Sequence, residues 1–186
     1  MEKLGFIQGR LSPMIKSRIQ MFPWNNWENE FSLAEELNLK KMEWTIDSYR
    51  FHDNPLLNIS LHEKINTLSK KFKVQIPSVT CDYFMENPFW KANKTEVVRN
   101  MKCIISSMPK VGAKLLIVPL VDNSTLANNE GEVLVLFEML FENILENEIK
   151  IAFELDLNPR LALKFIDKFD SEYFGINYDI GNSTSL

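Results

Sequence analysis

Cysteine and histidine are both scarce in this chain, with two of each in 186 residues. Cys81 and Cys103 lie far apart, form no CxxC and have no histidine cluster beside them, which excludes a disulfide framework and a Cys/His zinc site. Both are expected to be reduced thiols, and Cys81, at a predicted strand end, is the one that could instead belong to a site. No apolar run approaches the roughly 18 residues of a membrane span. The start Met1-Glu2-Lys3-Leu4-Gly5-Phe6 also lacks the regions of a signal peptide. A cytoplasmic protein without a membrane partner is expected. Positive charge is in deficit, with a net charge of −4 and a pI near 5.3, so nucleic acid is not an expected partner, although a local basic patch can hide inside an acidic total. Neither GxGxxG nor GxxxxGK[ST] occurs, and Gly5 and Gly9 flank the first predicted strand without a third glycine.

What is present is ordinary globular composition, 45% hydrophobic and 25% charged, in a length that suits one domain over residues 1–186. Hydrophobic period and chain breakers alternate strands with helices. Strands are expected at Lys3 to Gly9, Lys40 to Asp47, Val74 to Cys81, Leu115 to Val121, Ile149 to Asp156 and Tyr173 to Ile180. Helices are expected at Trp27 to Leu37, Ser60 to Lys71, Asn93 to Val111 (ended by Gly112), Glu130 to Asn147 and Pro159 to Phe169. Ser60 with Glu63 reads as a capping box, and Pro159 falls in a first turn, where its missing N–H is harmless. On the fourth helix, Leu134, Phe137, Phe141 and Ile144 recur at helical spacing and read as core.

Strict alternation favours parallel strands joined by right-handed crossovers. Side-chain parity then separates an open doubly wound sheet from a barrel. Ile151, Phe153 and Leu155 oppose Lys150, Ala152 and Glu154; Phe174, Ile176, Tyr178 and Ile180 oppose Gly175, Asn177 and Asp179; Met42, Trp44 and Ile46 oppose Lys41, Glu43 and Thr45. A doubly wound sheet buries both faces and reads as continuous apolar strands. One apolar and one small or polar face points instead to part of an α/β barrel, with polar groups gathered inside, toward the C-terminal ends of the strands.

Glu154 and Asp179 lie 25 residues apart, one strand-helix unit, so they are expected near the ends of adjacent strands. Strands about 4.8 Å apart allow two carboxylates to converge on one divalent cation, which would relieve the repulsion that otherwise forces one of them to protonate. Spacing alone fits solvated strand ends equally. Glu43, of inward parity, could hold a substrate hydroxyl or pair with a lysine. Arg10 could receive a phosphate or sugar oxygen, or form an exposed salt bridge. Trp24, with Phe22 and Trp27, could stack on a sugar or simply pack; Phe84, Phe89 and Trp90 pose the same choice. His52 and His62 read as surface or core residues.

The segments Gly5-Phe6-Ile7-Gln8-Gly9-Arg10-Leu11-Ser12-Pro13, Ile19-Gln20-Met21-Phe22-Pro23-Trp24, Lys41-Met42-Glu43-Trp44, Phe153-Glu154-Leu155-Asp156 and Asn177-Tyr178-Asp179-Ile180-Gly181-Asn182 resemble the sugar phosphate isomerase/epimerase family. That family belongs to the xylose isomerase-like TIM-barrel superfamily. The resemblance implies a divalent metal (Mn, Mg, Co or Zn), with Glu154 as metal ligand and proton-transfer group and Asp179 as the second ligand. Glu43, Arg10, Trp24 and Asn182 are the expected substrate-binding residues. Asn182 stands where many relatives carry a histidine, and Thr80-Cys81-Asp82 lacks another.

The family's further His and Glu ligands belong to strands seven and eight, whereas this sequence ends at Leu186. A barrel takes about 250 residues, so the expectation is an incomplete barrel of about six strands and five helices lacking the last two βα units, with half of the metal site absent. Retention of the metal is left open. A truncated, impaired product is the favoured account. A protein split over two polypeptides, and a remnant that dimerises through open edges, are the others. A small-molecule sugar or sugar phosphate is the expected partner. An AP-endonuclease-like metal nuclease and a non-catalytic, partner-binding remnant are the alternative functions.

Overall fold

In a computed structural model of the protein, residues 4–14 and 21–183 are described, the last two as backbone only. Six strands form one sheet in the order of the chain: β1 (Gly5–Ile7), β2 (Lys41–Thr45), β3 (Gln75–Thr80), β4 (Leu115–Leu120), β5 (Lys150–Leu155) and β6 (Phe174–Asn177). Every neighbouring pair is parallel. Helices α1 (Asn29–Glu36), α2 (His62–Phe72), α3 (Asp82–Glu86), α4 (Lys94–Ser107), α5 (Glu130–Glu146) and α6 (Pro159–Ile166) occupy the crossovers, and α7 (Ile180–Ser183) follows β6. This is the expected incomplete (β/α)-barrel arrangement. Among the described residues β1 and β6 are each paired along one edge only. No described helix is long and apolar enough to cross a membrane.

The two-faced strands produce this layering. Met42, Trp44 and Ile46 are completely buried toward the helices, with Trp44 packed between Phe22 and Trp27 at ring separations of 5.6 and 5.8 Å. Phe153 lies against Phe137 of α5 at 5.0 Å and Phe165 of α6 at 5.3 Å, and Phe174 of β6 continues the cluster. A fully buried Phe contributes about 1.5–3 kcal/mol, so this aromatic cluster fixes which face of β5 turns outward. Glu154, one residue on, must face the barrel interior.

Several local expectations are corrected. Asn58, not Ser60, caps the turn before α2: its Oδ1 accepts Ser60 N at 3.1 Å and the Ser60 hydroxyl at 2.8 Å, so Ser60 is the donor there. The helix expected to reach Val111 leaves the α conformation after Ser107, because Pro109 has no N–H to continue the ladder, and a 3-10 turn, Met108–Val111, follows, capped by Gly112 with φ 86°. Pro159 does open α6, with Asn158 accepting Leu161 N at 3.1 Å. Two short helices, α3 and α7, join the five expected, and β6 stops at Asn177 rather than running to Ile180. On α5, Phe137 and Ile144 are core and Phe141 packs at its margin, while Val133, Leu136 and Leu140 replace Leu134 in the buried stripe. Lys3, the expected start of the first strand, lies outside the described residues, as do Ile19 and Gln20.

Candidate active site

The ladder relates the candidate residues to one another. Pro119, Glu154 and Asn177 share one row near the C-terminal ends of β4, β5 and β6. Asn177 Nδ2 donates to Glu154 Oε2 at 3.2 Å, which confirms that both side chains point to the same, inner face. Both are half-buried. Below them the lining is small: Ala152 pairs with Gly175, and nothing lies within 4 Å of where a Cβ on Gly175 would stand. The interior beside Glu154 is therefore open.

Asp179 follows two residues after Asn177, also half-buried, but beyond the end of the strand. Its Oδ1 lies against the backbone of Gly181, where an added Cβ would come to 2.9 Å. Glycine at that position is thus what lets the carboxylate turn toward the start of α7. The side chain of Asn182 is outside the described part of the structure.

Glu43 aligns with Ser78, Leu115 and Lys150 along the ladder, and because the strands are staggered it stands two residues before the end of β2 while Glu154 stands one before the end of β5. The partner of Glu43 is the Ser78 hydroxyl, donating to Oε2 at 2.8 Å, and not a lysine. Burial raises its carboxyl above the ordinary range, with the Ser78 bond acting in the opposite direction. Arg10 is exposed in the turn after β1. Trp24 lies in the β1–α1 connection among aromatic rings, 4.8 Å from Phe22 and 6.3 Å from Tyr49, with the Arg50 guanidinium 4.3 Å above it. His62 Nε2 is bonded to Leu56 O at 2.7 Å, and His52 packs on Phe51, so neither histidine joins the carboxylates. Cys81 is completely buried, and burial pushes its thiol up to about 12, which leaves it a protonated core residue and removes it as a site candidate.

Sequence reasoning missed the residue that holds the rim. Glu30 of α1 has no solvent exposure, and its carboxylate accepts Gly9 N at 3.0 and 2.9 Å, Leu11 N at 3.1 Å and the Ser12 hydroxyl at 2.8 Å. Burial raises this carboxyl too, against the pull of those donors. Asp47 adds a second tie, accepting Phe22 N at 2.9 Å. Gly9 has φ 95°, and a Cβ there would stand 2.4 Å from Met21 O, so only glycine fits the turn that carries Arg10.

The paired oxygens suit a hard divalent cation in kind. Among the described residues no group of three or more Asp, Glu, His or Cys side chains could hold one.

A xylose isomerase-like TIM barrel protein from Mycobacterium smegmatis, in complex with magnesium, matches 98% of this chain and 66% of its own length at TM-score 0.69 and 16% identity. The fold is that of the xylose isomerase-like barrels. Two further barrels of this kind are similar: a sugar phosphate isomerase/epimerase from Parabacteroides distasonis, at TM-score 0.63, 8% identity, 100% of this chain and 68% of that one, and a D-psicose 3-epimerase in the presence of D-fructose, at TM-score 0.61, 8% identity, 93% of this chain and 62% of that one. The chain spans about two thirds of the length of these barrels. No protein-family model matches the sequence, and no curated protein does.

Proposed function

We propose that the chain belongs to the sugar phosphate isomerase/epimerases and acts on a sugar or sugar phosphate through Glu154, with Glu154 and Asp179 as its ligands to a divalent cation. The observation that carries this reading is the Asn177–Glu154 pair on the inner face at the C-terminal end of the sheet, beside an open interior. In barrels of this architecture the chemistry is sited at that end. Support comes from the similar barrels, one solved with magnesium and one with D-fructose.

A divalent cation bound there would polarise a substrate carbonyl and make the neighbouring C–H acidic. Glu154 is the group to move the proton. The Asn177 amide, donating to Oε2, holds its carboxylate in one orientation. Asp179, just beyond the end of β6, supplies the second carboxylate. Glu43 is held by the Ser78 hydroxyl on the inner face of the sheet.

The test is hydrogen exchange. With Mn²⁺ and D-fructose in D₂O, the protein should introduce deuterium beside the sugar carbonyl, and Glu154→Gln should abolish the signal. Exchange that persists in Glu154→Gln, or its absence from the metal-loaded protein, would overturn the proposal.

A further inference from the structure

The opposite end of the sheet carries an unexplained concentration of positive charge. A cleft of about 640 Å³ is lined by Lys40, Lys41, Lys70, Lys73, Ser69 and Gln75, with no carboxylate among them. Lys41 and Gln75 open β2 and β3, Lys70 stands in the last turn of α2, and Lys73 caps that helix with φ 55°. The backbone makes the cleft rigid: Gln75 N donates to Lys40 O at 2.9 Å, and Val74 N to Ser69 O at 3.1 Å.

Of the ten described lysines outside the cleft, four pair with carboxylates and Lys71, Lys91, Lys102, Lys110, Lys150 and Lys164 do not. Lys64, Lys94, Lys114 and Lys168 each pair with a glutamate. Among the described residues, the four lysines of the cleft have no ion pair. The carbonyl end of α2 accounts for about half a charge, so most of the positive charge stays uncompensated. In a chain of net charge −4, this cleft gathers four positive side chains and no carboxylate, a lining that favours an anion.

We propose that this cleft binds a small polyanion carrying two or more phosphate groups, at a site separate from the Glu154 end of the sheet. The ammonium groups supply the charge, and the Ser69 hydroxyl and Gln75 amide supply neutral hydrogen bonds. Ligand chemistry of this kind occurs in soluble phosphate esters and in phosphoinositide headgroups, and the experiment separates them.

Inorganic pyrophosphate is titrated calorimetrically into the protein at low ionic strength, and vesicles of phosphatidylcholine with or without phosphatidylinositol 4-phosphate are tested by co-sedimentation. The double variant Lys70→Gln/Lys73→Gln changes two exposed side chains and should weaken pyrophosphate binding about tenfold or more. Lys102→Gln, on the exposed face of α4, should change it by about twofold or less. Thermal melts confirm that the variants fold. Co-sedimentation without pyrophosphate binding, lost in the double variant, assigns the cleft to a headgroup. Binding to neither probe, or equal effects of the cleft and Lys102 substitutions, would overturn the proposal.

Discussion

Replacing Glu30 should reveal how the rim of the barrel is held. In Glu30→Ala, the amides of Gly9 and Leu11 and the Ser12 hydroxyl lose their acceptor at once. A buried donor left without a partner costs about 1–3 kcal/mol. The Ser12 hydroxyl is only partly buried and can turn to water, so the two amides dominate, and the void left by the side chain adds to them. The expected loss is about 3–6 kcal/mol, a large share of the 5–15 kcal/mol typical of a domain. Glu30→Gln keeps one oxygen in place and turns an NH₂ toward Gly9 N, so it should cost less, about 1–2 kcal/mol. Glu35→Ala, exposed on the same helix, should stay within about 0.5 kcal/mol of the parent. Urea unfolding followed by tryptophan fluorescence measures all three. A Glu30→Ala loss below about 1 kcal/mol, or no separation from Glu35→Ala, would refute the reasoning.

Glu43 should give stability a particular pH dependence. Its folded carboxyl is raised above the unfolded value, so its contribution is fully present below the unfolded value, about 4.3, and is lost as pH rises through the folded one. Glu43→Gln should therefore gain stability relative to the parent as pH rises above about 4.3; a flat or reversed difference in urea unfolding above that pH contradicts it. For the thiols, Cys103 should react with a disulfide reagent in the native protein, whereas Cys81 should react only on unfolding. Two fast thiols in the folded state would count against a buried Cys81.

Much of the architecture was legible because it rests on alternation. Phe153 and Glu154 are neighbours of opposite character, and no packing of β5 can bury the first without turning the second inward. The same parity placed Met42 and Glu43. It did not hold the last strand together: Ile176, Tyr178 and Ile180 have the right period, yet they are 38%, 72% and 69% exposed, since no described helix covers them and the chain turns into α7. Glu30 was illegible for a different reason. It stands with Glu28, Glu35 and Glu36 in a segment that reads as a solvated helix face, and its partners are mainly backbone amides, which leave no trace in composition or spacing.

The most direct test of the central claim is manganese binding to the parent protein, to Glu154→Gln and to Asp179→Asn, followed by calorimetry and electron paramagnetic resonance. Shared ligation predicts that the parent binds the ion and that each substitution alone weakens binding by about tenfold or more. Unchanged affinity in both variants would contradict it.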